Sequence, residues 1–167
     1  MTTTQLAASL PNPVVRDLAD FVSNCWTELR RAERYHVFVS LAKFEIHPAG
    51  SVRKSDSSSD SQTIAEKLAR VVRASDAVSF VNGNAVVVLF PETPRQGAEV
   101  ATRRLQATIA EAIGLNVGLD TNGEMIARTP SGSFAALSAL PSAQLSSFPD
   151  AAGARTIPDL LNELTVR

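Results

Sequence analysis

Arg73 and Asp76 are the residues whose types and spacing best suit ligand binding, because they stand three positions apart just ahead of two apolar runs. A guanidinium group donates paired hydrogen bonds to a phosphate or to the edge of a guanine, and a carboxylate accepts from guanine N–H groups. The same pair also suits a structural role, since arginine complements a helix C-terminus and aspartate is common in turns. The residues alone leave both interpretations open.

The two apolar runs that follow, AVSFV at 77–81 and AVVVLF at 85–90, are joined by Asn82-Gly83-Asn84. Asn-Gly favours a type I′ hairpin turn, because both central residues of that turn need a positive φ and these two residue types tolerate it best. The sequence therefore predicts a β-hairpin immediately after Arg73 and Asp76.

Other kinds of chemistry have few residues to support them. The 167-residue chain has one cysteine, Cys25, and two histidines, His36 and His47, so neither an internal disulfide nor a thiolate metal site can form. Cys25 is predicted to be a small buried residue on a helix. The net charge of −1 gives no reason to expect nucleic acid or an anionic membrane as a partner.

No segment of the sequence has the pattern of a membrane span or of a secretory signal. The longest apolar run, Ala85 to Phe90, is far too short to cross a bilayer. The N-terminus lacks a basic start and a long apolar centre. We expect a cytoplasmic protein.

The first half of the chain is predicted to contain a helix, a strand, a loop and a second helix. Apolar residues at helical spacing, with cations near the end, predict a helix from Pro13 to Arg34. The run His36–Ile46 predicts a strand covered on both faces. Residues 51–62 are polar and Ser-rich, and predict a mobile loop. Helical spacing returns from Ile64 to Val72.

The second half is predicted to contain a helix, a strand, an irregular segment and a closing helix. Their ranges are 94–112, 115–119, 121–155 and 156–166. Thr93 is predicted to cap the helix at 94–112, with Pro94 at its first position. The irregular segment is rich in Ala, Ser, Pro and Gly, and the only strand that its pattern suggests lies near Met125–Arg128.

This order of elements predicts an α+β fold, in which helices pack on a central, mainly antiparallel sheet. The chain length and the 44% hydrophobic content suit one domain with its own core. We expect a flexible tail over residues 1–12 and a single domain over 13–167.

Three short motifs in this order of elements resemble the GGDEF domain, a bacterial module whose active form makes cyclic di-GMP from two GTP. The resemblance covers roughly residues 27–119. Arg31-Ala32-Glu33-Arg34-Tyr35 matches the motif before the first strand, and Pro91-Glu92-Thr93 matches the motif after the hairpin. The five-residue signature falls on Asn82, Gly83, Asn84, Ala85 and Val86. The resemblance implies a nucleotidyl-cyclase-like palm, with the hairpin turn at the former active site.

The resemblance also implies that the catalytic carboxylates are gone. Joining two nucleoside triphosphates requires Mg²⁺, which prefers carboxylate oxygens. The turn instead offers Asn84 and Ala85, and the family's Asp-x-Asp at the end of the first strand falls on Glu45-Ile46-His47. We therefore expect a degenerate domain without cyclase activity, metal or cofactor. Glu45 is expected to be a strand-end surface charge and His47 a turn residue.

Active relatives often carry an inhibitory Arg-x-x-Asp site that binds cyclic di-GMP, five residues before the signature. Arg73 and Asp76 keep that spacing. A further arginine on the next helix often completes the site, and Arg104, with Arg103 as alternate, lies at about the right distance along the chain. Three further arginines are expected only to solvate the end of the first helix: Arg30, Arg31 and Arg34.

The sequence therefore favours a cyclic di-GMP receptor or regulatory module that lacks catalytic activity. Two alternatives stay open: a nucleotide-independent protein-interaction domain and a residual diguanylate cyclase. The expected partners are cyclic di-GMP and either a second protein or a second copy of the chain, with no nucleic acid and no membrane.

Overall fold

The computed structural model describes residues 14–46, 57–82, 84–128, 140–149 and 156–166. These residues form four helices and six strands. In chain order they are α1 (Leu18–Tyr35), β1 (Val39–Glu45), α2 (Ser57–Val71), β2 (Ala77–Val81), β3 (Ala85–Pro91), α3 (Arg95–Ala112), β4 (Asn116–Leu119), β5 (Met125–Arg128), β6 (Ser142–Phe148) and α4 (Ile157–Thr165). None of the helices in these ranges is long and apolar enough to cross a membrane.

A four-stranded sheet in the order β2-β3-β1-β6 lies at the centre, and each pair of neighbouring strands is antiparallel. The predicted α+β architecture is confirmed. Strand β1 is flanked by β3 and β6, and six of its seven residues are buried. The prediction of a strand covered on both faces is therefore confirmed as well.

Helices cover both faces of this sheet. Because side chains alternate along a strand, odd-numbered residues of β1 face one layer and even-numbered residues face the other. Leu41 packs in a core with α1 and α4, and Phe44 packs in a core with α2 and α3. The predicted burial of Cys25 is confirmed, because it lies in the first of these cores, and burial raises the pKa of its thiol to about 12.

Helix α1 begins later than the sequence predicted. Its N-cap is Asp17, whose side chain accepts a hydrogen bond from the Asp20 N–H at 2.8 Å. The residues before it pair with the edge of β2 instead, where the Val78 N–H donates to the Val14 carbonyl and the Arg16 N–H donates to the Val78 carbonyl, both at 2.8 Å. The free strand edge therefore competes successfully with helix extension.

Helix α2 begins at Ser57, so residues 57–62 of the predicted Ser-rich loop are helical. Buried Ile64 and Leu68 anchor this helix, and the Gln62 side chain donates to the Glu66 carboxylate one turn later. A helix anchored by its apolar turns extends into a polar segment at little cost, which composition alone does not reveal.

Thr93 does not cap α3, contrary to the prediction. Pro94 is the N-cap and has no side-chain capping bond. The Thr93 hydroxyl donates instead to the Pro91 carbonyl at 2.8 Å, and the Thr93 carbonyl accepts from the Ser40 hydroxyl. Thr93 therefore stabilises the turn after β3 and does not cap the helix.

The described parts of the segment considered irregular, residues 121–128 and 140–149, contain two strands. Strand β5 confirms the strand predicted near Met125–Arg128, and it pairs with β4 in a separate two-stranded sheet. Strand β6, with the sequence SAQLSSF, was missed because it has no β-branched residue. Its pairing with β1 along seven residues, together with a 2.7 Å contact between the Ser40 and Ser147 hydroxyls, explains why it is nevertheless a strand.

Candidate functional site

Two charged regions lie at the two ends of strand β2. We call Arg73, Asp76 and Arg104 the arginine cluster, and Asp76 directly precedes β2. We call the polar cavity beside the β2–β3 turn, lined among others by Lys43, Glu45, Asn82, Asn84 and Glu163, the hairpin-end cleft.

Asp76 closes the turn between α2 and β2. Its Oδ2 accepts a hydrogen bond from the Arg73 N–H at 2.8 Å, and its own N–H donates to the Arg73 carbonyl at 3.0 Å. The residue is only 6% exposed. The structural role that the sequence offered for this aspartate is therefore present.

That role uses only one of the two carboxylate oxygens. Asp76 Oδ1 is buried and has no hydrogen-bond partner among the described residues. Burial raises the pKa of this carboxyl, while the Arg73 N–H and the charges of Arg73 and Arg104 act in the opposite direction. Asp76 thus keeps an acceptor that the fold does not satisfy, close to two cations.

Of the two candidate arginines on α3, Arg104 is the one whose charge acts on Asp76. Arg104 Nη2 donates to the Val71 carbonyl at 3.1 Å, which places it at the C-terminal end of α2. Arg73 and Arg104 are both exposed, and within the described part of the chain neither forms an ion pair with a carboxylate. The arginine cluster therefore presents two guanidinium groups to solvent.

The hairpin lies where the sequence predicted it, but its loop is longer than the two-residue type I′ turn that the Asn-Gly pair predicted. Asn82 has a φ of +51°, and the Asn84 N–H donates to the Val81 carbonyl at 3.3 Å. The last paired residues are Val81 and Ala85, so three residues link the strands, and Gly83 lies outside the described residues. Ala85 and Val86 are buried strand residues and offer no ligand group.

Lys43 and Glu163 are the residues of the hairpin-end cleft that sequence reasoning missed. Lys43 projects from β1, and its side chain is only 10% exposed. Its Nζ lies 2.8 Å from Glu163 Oε1 on α4 and 3.1 Å from Glu45 Oε1. Burial alone would lower the pKa of Lys43, but the hydrogen bonds to the two carboxylates outweigh it, and the pKa lies above its usual value.

One of these two residues left a signal in the sequence. Lys43 is a charged residue inside a mainly apolar run that was predicted to be covered on both faces, and such a residue needs a partner. Glu163 gave no comparable signal, because 120 positions separate it from Lys43. Glu45 is 40% exposed, as expected of a strand-end charge, but its carboxylate is paired with Lys43.

A divalent cation of the kind that the GGDEF resemblance implies does not fit this cleft. The cavity measures about 350 Å³, but the Lys43 ammonium already occupies the space between its two carboxylates. Two unit charges about 4 Å apart interact by about 4 kcal/mol at an effective dielectric constant of about 20, and a divalent ion would meet about twice that repulsion. The described residues also contain no group of three or more His, Cys, Asp or Glu side chains that could hold a metal.

One of the three arginines at the end of α1, Arg31, does more than solvate that helix. Arg31 forms ion pairs with Glu28 and with Glu92, which follows β3 and has a φ of +51°. Arg34 lies over the Tyr35 ring at 5.4 Å. The expectation of simple solvation is therefore wrong for Arg31, which links α1 to the turn after β3.

Comparison with known proteins relates this fold to one class of domain. The structure superimposes on a DGC protein from Thermotoga maritima with a TM-score of 0.60 and 13% identity, over 94% of this chain and 100% of that one. It superimposes on the diguanylate cyclase SiaD from Pseudomonas aeruginosa, solved with its activator SiaC, with a TM-score of 0.57 and 14% identity, over 93% of this chain and 54% of that one.

A third similar structure is the GGDEF domain of DgcB from Caulobacter crescentus in complex with c-di-GMP. Its TM-score is 0.51 at 10% identity, over 80% of this chain and 70% of that one. These superpositions show that the chain has the fold of a GGDEF domain. No protein-family model matches the sequence, and a search of curated proteins also found no match.

Proposed function

We propose that this protein is a GGDEF-fold domain without catalytic activity that binds cyclic di-GMP through Arg73, Asp76 and Arg104. The observation that carries the proposal is the arginine cluster itself: two exposed guanidinium groups beside a buried carboxylate that keeps one unpartnered oxygen. The c-di-GMP complex of a GGDEF domain with a similar fold supports the choice of ligand.

The chemistry of the cluster matches the two kinds of group in this ligand. Guanidinium groups donate paired, charge-assisted hydrogen bonds to phosphate oxygens and to the acceptor edge of guanine. A carboxylate oxygen accepts from guanine N–H groups, and Asp76 Oδ1 has no hydrogen-bond partner among the described residues. Because neither arginine has a carboxylate partner within the described ranges, ligand binding would not first have to break an ion pair.

The hairpin-end cleft supports the absence of catalysis. The turn supplies Asn82 and Asn84, and the one carboxylate at the end of β1, on Glu45, is paired with Lys43. With GTP and either Mg²⁺ or Mn²⁺, the protein should form no cyclic di-GMP above a buffer control. Steady product formation that scales with protein and disappears in Glu45→Ala would refute this part of the proposal.

Calorimetric titration with cyclic di-GMP tests the receptor function. We expect a dissociation constant in the micromolar range or tighter, which corresponds to about −8 kcal/mol or better. Arg73→Ala and Arg104→Ala should each lose about 1.5–3 kcal/mol, or roughly 10- to 150-fold in affinity. Arg103→Ala is the matched control, since it removes an exposed arginine from the adjacent position of the same helix.

Asp76 needs a more careful variant because it also closes a turn. Asp76→Asn keeps a carbonyl oxygen for the Arg73 N–H, whereas Asp76→Ala removes both oxygens. If Asp76 Oδ1 accepts from the ligand, Asp76→Asn should also lose affinity roughly 10- to 150-fold while remaining folded. No heat from the folded wild-type protein, with ligand in the hundred-micromolar range, would overturn the receptor proposal and favour a nucleotide-independent interaction domain.

A further inference from the structure

We propose that Lys43 takes the place of a divalent cation in the hairpin-end cleft and is the residue that keeps such cations out. This inference deepens the proposed loss of catalysis, on which it rests, by naming a side chain that opposes metal binding in addition to the carboxylates that the turn lacks. It concerns cation binding rather than GTP turnover or cyclic di-GMP binding. A failure here is therefore distinguishable from a failure of the proposed function.

The geometry of Lys43 is that of a built-in counter-ion. Its ammonium nitrogen contacts one carboxylate from β1 and one from α4, at 3.1 Å and 2.8 Å. Carboxylate oxygens are the ligands that hard divalent cations prefer, so the ammonium uses the same atoms that such a cation would use. Like a metal ion, it joins two elements that are distant in sequence.

The position of Lys43 makes the ammonium hard to displace. Its backbone lies in β1, between β3 and β6, so the base of the side chain is fixed by the sheet. Helix α4, which supplies Glu163, is held against the sheet by buried Ile157, Leu160 and Leu161. An incoming cation would have to expel a nearly buried positive charge from its two partners.

The rest of the cleft would accept a cation if that charge were removed. The amide side chains of Asn82 and Asn84 line the same cavity and carry neutral oxygen ligands. Glu45 and Glu163 are about 40% exposed, so both carboxylates can be reached from solvent. Without the Lys43 ammonium, the cleft would present two carboxylates and two amide oxygens to one cavity.

Manganese binding to the full chain tests the inference, with free Mn²⁺ followed by electron paramagnetic resonance. The wild-type protein should bind no Mn²⁺ in the cleft below about 1 mM, whereas Lys43→Ser should bind with a constant of about 0.1 mM, at least tenfold tighter. Lys43→Met is a second variant that removes the charge while keeping most of the volume. Lys67→Ser, on α2 at the other face of the sheet, is the matched lysine control and should behave like the wild type.

The location of bound manganese is checked in two ways. Adding Glu163→Gln to Lys43→Ser should weaken binding at least tenfold, and Mn²⁺ should broaden the side-chain amide signals of Asn82 and Asn84 in the Lys43 variants only. Wild-type protein that broadens those signals at the same concentrations would overturn the inference, whether or not the variants fold. So would a Lys43→Ser protein that binds no more tightly than Lys67→Ser.

Discussion

The hairpin-end cleft and the arginine cluster lie at opposite ends of β2 and differ in the burial and pairing of their charged side chains. In the cleft, Lys43 is nearly buried and paired with two carboxylates. In the cluster, Arg73 and Arg104 are exposed and have no carboxylate partner within the described ranges, while Asp76 keeps an unpartnered oxygen. We therefore expect the paired charges of the cleft to matter for stability and the exposed arginines of the cluster to matter for ligand binding.

The comparison predicts that the carboxylates of the cleft matter for stability. Glu45→Gln/Glu163→Gln should lower the free energy of unfolding by about 2 kcal/mol, because it leaves the Lys43 ammonium buried without a counter-charge. Breaking a fully buried pair costs about 3–5 kcal/mol, and the partial exposure of both carboxylates reduces that figure. Urea denaturation is the measurement.

The matched change in the cluster should have a much smaller effect on stability. Arg73→Ala removes an exposed side chain, and the free energy of unfolding should change by no more than about 0.5 kcal/mol. A loss as large as that of the cleft variant would contradict the distinction between the two regions. The cleft variant, in turn, should bind cyclic di-GMP with wild-type affinity.

A substitution in the turn between β2 and β3 should have the next largest effect on the free energy of unfolding. Asn82→Val should destabilise the protein by about 1–2 kcal/mol, because a β-branched residue is forced to the φ of +51° that asparagine tolerates. Asn84→Val is the control, since Asn84 is exposed in the same turn without a positive φ. Equal denaturation midpoints for the two variants would contradict the turn geometry.

The pH dependence of stability should report the burial of Asp76. Because burial raises the pKa of this carboxyl in the folded state, the folded state holds its proton more tightly than the unfolded state does. The contribution of Asp76 is then fully present below its ordinary pKa and is lost as the pH rises through the raised value.

Wild-type protein should accordingly gain stability relative to Asp76→Asn as the pH falls from neutral toward 4. Urea denaturation of both proteins at several pH values is the measurement, and this is the smallest of the expected effects. A difference that stays constant, or that grows as the pH rises, would show that the carboxyl is not desolvated as the fold implies.

Local pattern was sufficient for most elements of this protein. Apolar alternation and run length placed β1, β2 and β3, and the Asn-Gly pair placed the turn, because these features depend on neighbouring residues. The order of elements then limited the fold to helices on an antiparallel sheet. The turn at Arg73 and Asp76 was also predictable, since its two members are three positions apart, whereas their role as a ligand site stays a prediction.

The tertiary structure alone decided the features that depend on distant partners. Strand β6 forms from a serine-rich segment because it pairs with the edge of β1. Residues 14–16 are not helical because they pair with the edge of β2. The position of Arg104 at the end of α2 depends on how α3 packs against that helix. Lys43 meets Glu163 only after α4 has packed on the sheet, because a contact across 120 positions is created by packing and not by local pattern.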